Sequence, residues 1–512
     1  MGRIIFNEDP NHFIYSRASA GIQKLTDDMV RDFILQYKDT NVTDFMICVN
    51  ASNVWFHSDR RKDMISQYKE WIAKGKHRQY GSGDPVFECI HLLVDYYERT
   101  GKVMQDVWIE TLREIGIRPW ISLRMNDIHD CKQEDSILFS DFYRANRDKI
   151  RASHRAADDY YDYALDYTYP EVREYYLSVM EETLDRFDTD GIELDWMREI
   201  YSIGIGKEYE GITVMNEFME NAVTLVRKAE EKRGHPIQIA IRMPDTPEKA
   251  LRLGFDVFEW VDRGWIDLIT VTPRWASTDN DLPIDLWKKT FRNKPVTIAA
   301  GMEILIDAYN RRGRKYTPNT FESAVATSCA QLFMGADATY LFNYMDNLNP
   351  SEEQALLHGK AYQRFLRTAG DYEACLKETR RHIVTYNDVS AIGANGKKQL
   401  PVTVSGENGK AFGYRALRLV TGEIPENAEI QLILGFGPDT APDPAQLSVY
   451  LSTYPCRFIK EIAPQRLHYK DMRYFVFAPK TADKLPPVSI IEIGLTDGKE
   501  TIHWAEIQII PQ

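Results

Sequence analysis

The sequence predicts a (β/α)8 barrel followed by a β-rich domain, and three observations predict it. Eight short apolar runs punctuate residues 1–345, helical patterns separate most of them, and near residue 375 the texture changes to alternating segments broken by Gly, Pro, Asn and Asp. Continuous rather than alternating hydrophobicity marks strands covered on both faces, and alternation with helices marks a parallel sheet. Eight such units spell a closed barrel.

In chain order the expected strands are Ile4 to Asn7, Asp44 to Asn50, Arg118 to Met125, Gly191 to Trp196, Ile237 to Met243, Leu268 to Pro273, Val296 to Met302 and Ala338 to Tyr344. Barrel enzymes build their active sites at the C-terminal ends of the strands and in the loops that follow. There the chain turns polar: Asn7, Glu8 and Asp9; Asn50; Arg124, Asn126 and His129; Glu193, Asp195 and Arg198; Arg242 and Asp245; Arg274 and Trp275; Glu303; Asn343 and Asp346.

Two insertions exceed an ordinary connection. Residues 51–117 hold more than one helix and a turn-rich loop, Tyr80-Gly81-Ser82-Gly83-Asp84-Pro85. Residues 126–168 carry Ser153-His154-Arg155 and the aromatic run Tyr160-Tyr161-Asp162-Tyr163. Long loops on the functional face of a barrel usually cover a substrate. The expected division is a barrel over 1–370 and a β-sandwich-like domain over 375–512, with candidate strands Glu429 to Leu434, Ser448 to Ser452 and Thr501 to Ile510.

Composition narrows the classes. A chain of 512 residues that is 44% hydrophobic and 27% charged is that of a soluble globular protein, and no apolar run approaches a membrane span. The first residues, Met1-Gly2-Arg3-Ile4-Ile5-Phe6-Asn7, run into a core strand with no signal-peptide pattern. A cytoplasmic protein is expected, or a secreted or periplasmic one from which a leader has been removed. Six cysteines (Cys48, Cys89, Cys131, Cys329, Cys375, Cys456) without a C-x-x-C pair argue against a zinc site and a disulfide framework. A net charge of −13 disfavours nucleic acid as a partner. The oligomeric state stays open, a homodimer included.

Each candidate residue has a chemical and a structural reading. Asp9 precedes Pro10, so a turn holds its carboxylate near the barrel mouth, where it either serves chemistry or caps a helix. His129 follows Arg124 by five residues, in a loop, and an imidazole acts as acid or base near neutrality. The structural alternative is a histidine satisfied locally. Glu193 and Asp195 alternate in Gly191-Ile192-Glu193-Leu194-Asp195-Trp196-Met197-Arg198 and share one strand face. They could be the acid and base of a glycosidase, or one of them could orient Arg198. Asn343 could bind a substrate or satisfy backbone groups at the rim. Arg124, Arg198, Arg242 and Arg274 come from four strand ends, and converging guanidinium groups suggest an anionic substrate; Arg242 and Arg274 could instead be internal ion-pair partners.

Taken together, the Asn7-Glu8-Asp9 end of the first strand, the Arg124 to His129 spacing, the Asp195-Trp196-Met197-Arg198 segment and Asn343 resemble the glycoside hydrolase family 156 sialidases. The resemblance spans the barrel. It implies an inverting exo-sialidase acting on sialylated glycans in a single displacement, with no metal or cofactor. It assigns His129 as Brønsted acid and Asp9 as Brønsted base. Arg124 and Arg198 would hold the substrate carboxylate, with Asn343 and Asn126 as further substrate contacts. Two alternatives stand beside it. One is a barrel glycosidase of another specificity using Glu193 and Asp195. The other is a non-catalytic carbohydrate-binding protein, suggested by the 12% aromatic content and the C-terminal domain.

Overall fold

A computed structural model describes residues 2–75, 85–133, 136–274, 278–311, 317–348, 356–393, 399–437, 442–480 and 485–512. The expected loop at Tyr80 to Asp84 and the strand-end Trp275 lie outside these residues.

Eight parallel strands hydrogen-bond in sequence order and the last pairs with the first, so the sheet closes. They are β1 (Ile4–Glu8), β2 (Val42–Cys48), β3 (Arg118–Arg124), β4 (Gly191–Asp195), β5 (Gln238–Met243), β6 (Leu268–Val271), β7 (Thr297–Met302) and β8 (Ala338–Leu341). The chain is a (β/α)8 barrel followed by an antiparallel β domain. Where an apolar run outlasts its strand, the extra residues stay buried without staying in the ladder. Met125, Phe342 and Tyr344 do this at the mouth.

Strand pleating sends alternate side chains to opposite faces. Ile5, Met46, Trp120, Ala240, Leu268, Ala299, Ala338, Tyr340 and Phe342 fill the lumen as one cluster. The other face, with Ile4, Phe6, Phe45, Ile121, Ile192 and Ile239, packs on the helices. Nearer the C-terminal ends the lumen turns polar, with Asn7, Ser122, Glu193, Arg242 and Thr270 all buried. Strand ends therefore present charge where the barrel opens.

The first insertion folds as helices Met64–Ala73, Pro85–Thr100 and Met104–Glu114. The second holds a short helix, Asp141–Ala145, and a 3-10 turn, Tyr160–Tyr163, and is closed on itself by the bridge between Ile150 and Leu165. Arg155 grips Asp162 with both terminal nitrogens, at 2.7 and 3.0 Å, which fixes the aromatic run.

The C-terminal domain contains β9 (Arg380–Ile383), β10 (Val402–Glu407), β11 (Lys410–Ala411), β12 (Arg415–Val420), β13 (Glu429–Phe436), β14 (Leu447–Leu451), β15 (Tyr454–Ile462), β16 (Arg473–Pro479), β17 (Val488–Leu495) and β18 (Gly498–Ile510). They form one curled antiparallel sheet in the order β11-β10-β18-β13-β16-β15-β14-β17-β12, with β9 added beside β18. Curling encloses a second core around Leu432, Leu434, Phe436, Phe475, Ile491 and Trp504. After β9 the chain returns to the barrel before starting β10. Val384 belongs to the second core, while Val389 and Ala391 belong to the barrel core.

Five of the cysteines are buried thiols and Cys456 is half-buried. Among the described residues, no helix is long and apolar enough to cross a membrane.

One lumen position admits no side chain. A Cβ on Gly191 would overlap the six-membered ring of Trp120, whose indole N–H is itself tied to Asp44 at 3.0 Å. Gly191→Ala should therefore destabilise the barrel by about 1–3 kcal/mol through overpacking, measured by chemical denaturation. An unchanged midpoint would show that Trp120 gives way freely.

Candidate active site

Asp9 leaves β1 at the mouth, immediately before helix Pro10–Ser19. Its Oδ1 accepts the backbone N–H of Asn11 at 2.8 Å, and its Oδ2 accepts Arg124 Nη2 at 2.6 Å. The helix-capping reading of Asp9 holds on one oxygen, and the other is paired with Arg124.

Arg124 ends β3. Asn50, from the end of β2, pins its backbone on both sides, Oδ1 accepting Arg124 N–H and Nδ2 donating to Arg124 C=O, each at 3.0 Å. The guanidinium lies 5.3 Å from the ring centre of Trp55 and donates through Nη1 to Asp127 Oδ2 at 3.1 Å.

Asp127 is the hub. It is buried, and it accepts Arg124, Arg198 Nε at 3.3 Å, the backbone N–H of His129 at 2.9 Å and His129 Nδ1 at 2.8 Å. Burial alone would raise its pKa. His129, Arg198 and Arg124 outweigh that and hold the carboxyl well below the usual range. His129 itself stands at the rim with its side chain 42% exposed.

Arg198 closes the 3-10 turn Trp196–Arg198 that follows β4. Asp195 orders that turn by accepting Arg198 N–H at 3.0 Å, while its second oxygen takes Arg242 Nη1 at 2.8 Å. Arg198 Nη2 faces Nε2 of His129. The structure thus brings Asp9, Arg124, His129 and Arg198 together from three strand ends around one carboxylate.

The remaining residues lie elsewhere. Asn343, just past β8 with φ 61°, donates to Glu303 Oε2 at 3.0 Å. Burial, against the pull of Arg242, drives the pKa of Glu303 well above the usual carboxylate range. Asn126 is committed to the loops that follow β3 and β4. Its amide donates to Leu165 C=O at 2.9 Å and Ser202 Oγ at 3.1 Å and accepts Leu165 N–H at 2.9 Å, so it anchors the second insertion. That geometry leaves its expected substrate contact without support.

Glu193 sits deeper in the lumen, accepting Ser122 at 2.7 Å, Tyr340 at 2.9 Å and Asn7 at 3.4 Å. Burial and the neighbouring Asp195 push its pKa up to about 7. Glu8 points outward from β1 and is likewise raised, by burial first and Asp9 second. Arg242 and Arg274 are internal ion-pair partners, of Asp195 at 2.8 Å and of Glu199 at 2.9 Å. Among the described residues, no group of three or more His, Cys, Asp or Glu side chains is placed to hold a metal ion.

Sequence reasoning missed Asp127 and Glu199 as parts of this network, and it placed Glu303 at a strand end without naming its partners. For Asp127 a signal existed: it stands three residues after Arg124 and two before His129, the spacing at which a short carboxylate reaches both in one turn.

No protein-family model matches the chain, and no curated protein matches it. Solved structures do align. One titled "Glycoside hydrolase" is 9% identical with a TM-score of 0.36, covering 97% of this chain and 93% of its own. A GH138 enzyme targeting pectin rhamnogalacturonan II is 10% identical with a TM-score of 0.42, over 73% of this chain and 39% of its own. The glycoside hydrolase domain of PgaB from Bordetella bronchiseptica is 11% identical with a TM-score of 0.42, over 72% of this chain and 99% of its own. At these values the alignments carry no statement about activity.

The depressed pKa of Asp127 makes a stability prediction. An unfolded Asp titrates near ~3.9, so the carboxylate's contribution is complete above that value and is lost as pH falls through the lower folded value. Asp127→Asn should be less stable than wild type by about 3 kcal/mol at neutral pH, the cost of breaking a buried pair. The gap should narrow below about pH 4. Denaturant melts across the acid range test this, and a gap independent of pH would contradict it.

Proposed function

We propose that the protein is an inverting exo-sialidase, with His129 as Brønsted acid and Asp9 as Brønsted base. The observation that carries this reading is the continuous chain Asp9–Arg124–Asp127–His129, which holds a carboxylate and an imidazole at one rim with Arg198 on the same hub.

In this reaction water attacks the anomeric carbon and gives a proton to Asp9. The glycosidic bond breaks on the opposite face, and its oxygen takes a proton from His129 Nε2. A sialoside carries a carboxylate on the reacting carbon, and the positive charge of Arg124 and Arg198 lowers the cost of bringing Asp9 near it. Both terminal nitrogens of Arg124 already serve Asp9 and Asp127, so Arg198 is the guanidinium with more to offer the substrate. Asn343 supplies a further sugar contact.

The Arg198–His129 contact adds a step. Arg198 Nη2 lies against both ring nitrogens of His129, and Nδ1 also meets Asp127 at 2.8 Å. Binding of the substrate carboxylate draws Arg198 off Nε2 and leaves that nitrogen to take the proton it later delivers.

Glu193 and Asp195 receive less support as a catalytic pair. Glu193 is buried beneath Ser122, Tyr340 and Asn7, and both Asp195 oxygens are committed to Arg198 N–H and Arg242.

Asp9→Asn and His129→Asn should each lower kcat on a natural sialoside by about 10²–10⁴-fold, the usual worth of a positioned acid or base, with the fold intact. Near-normal turnover in either variant sinks the assignment. By NMR the first product from an α-sialoside should be the β-anomer of free sialic acid, and an α-product refutes inversion. Proton uptake on binding free sialic acid, measured calorimetrically in buffers of different ionisation enthalpy, should be abolished in His129→Asn.

A further inference from the structure

The C-terminal domain is not confined to its own sheet. Between β9 and β10 it sends residues 384–393 back across the barrel rim. Four attachments hold this strap. Asn280 donates to Ile383 C=O at 2.9 Å and, through its backbone, to Thr385 Oγ1 at 3.0 Å. Arg274, just past β6, donates its backbone N–H to Asp388 Oδ1 at 2.8 Å. Lys249 Nζ donates to Val389 C=O at 2.9 Å. The Tyr201 hydroxyl donates to Ser390 C=O and accepts Ser390 N–H, each at 3.2 Å.

The attachments at Tyr201 and Arg274 adjoin the mouth's aromatic wall. Tyr201 packs edge-on against Tyr161 with ring centres 4.7 Å apart. The Arg274 guanidinium lies 5.0 Å from the Tyr161 ring centre and 5.5 Å from that of Tyr160. The same guanidinium is paired with the fully buried Glu199. Glu199 directly follows Arg198 in the chain, so the Arg274–Glu199 pair joins this wall to the turn that places Arg198 on Asp127.

We infer that the C-terminal domain sets substrate affinity through Asp388, a positioning residue that holds the β6 rim and, through Arg274, the Tyr160–Tyr161 wall beside the site. The wall stands on loops of β4 and β6 and on the second insertion, whereas Asp9, Arg124, Asp127 and His129 are held by β1, β3 and their own contacts. Loss of the strap's grip therefore loosens binding of the sugar away from its reacting carbon and leaves the acid and base in place. Binding lost equally from ground and transition states appears in KM rather than in kcat. The acceptor role of Asp388 needs an oxygen and not a charge.

This inference takes its substrate from the sialidase reading, and the experiment separates the two. Asp388→Ala should raise KM for an aryl sialoside about tenfold with kcat within about threefold, and Asp388→Asn, which keeps the acceptor, should restore KM to within about threefold of wild type. Tyr201→Phe, which releases the strap at Ser390 without touching Asp388, should raise KM in the same direction and serves if Asp388→Ala does not fold. Wild-type KM in Asp388→Ala, or in a Tyr201→Phe protein standing in for it, overturns the inference; so does a fall confined to kcat. A wild-type protein that releases no sialic acid overturns the sialidase reading instead. The same variants are then compared on whichever neutral or uronic aryl glycoside it hydrolyses, with unchanged KM again the overturning result and hydrolysis of none overturning both.

Discussion

The mouth of this barrel depends on the neutralisation of one buried carboxylate. Asp127 lies at 1% exposure, where an isolated charge would cost several kcal/mol in lost hydration. Two guanidinium groups, an imidazole and a backbone N–H offset that cost, and they come from three residues: Arg124 from β3, Arg198 from the turn after β4, and His129, which supplies both the imidazole and the N–H, from the loop between them. Because Arg124 also grips Asp9, the charge balance ties the end of β1 into the same unit. Four residues separated by up to 189 positions are thereby held in one arrangement, and displacing any of them leaves a charge without compensation.

The same logic repeats on the other side of the lumen with less exposure and more neutrality. Asp195 shares itself between the Arg198 backbone and Arg242, while Glu193 and Glu303 are driven toward the protonated form by burial. A lumen that held all these carboxylates charged would repel Asp9. Pairing Asp195 with Arg242 and raising the pKa of Glu193 and Glu303 lowers the negative charge held in the lumen. The second insertion is anchored by Asn126, and the C-terminal strap by Lys249, Arg274 and Tyr201, so the walls above this layer are assembled from parts far apart in the chain.

Much of this was legible beforehand. All eight barrel strands fall within three residues of the apolar runs that predicted them, because a strand buried on both faces leaves a continuous signature that no amphipathic helix imitates. At Asp9 the structural half of the expectation is met, since one oxygen caps a helix, while the other oxygen meets Arg124, a partner the local sequence does not announce. Asn126 shows the limit of reading position alone. It lies two residues from a site arginine, yet the turn after β3 sends its amide to Leu165 and Ser202, and nothing in the residue type announces that direction. Arg274 was visible as a charged residue at a strand end, but its pairing with Glu199 joins loops of different strands.

By itself the sequence determined what depends on periodicity and local chemistry: a closed parallel barrel, an antiparallel domain after it, polar strand ends, and an arginine, an aspartate and a histidine within six residues of one another. Only the tertiary structure decided which charges meet. Barrel closure sets β1 beside β8 and puts Asp9 across from a loop more than a hundred residues away, and curling of the second domain returns its first connection to the barrel rim. The reason is physical: hydrophobic burial is additive along the chain and leaves a pattern in it, whereas the pairing of a buried charge is settled by distances in space that no interval of sequence encodes.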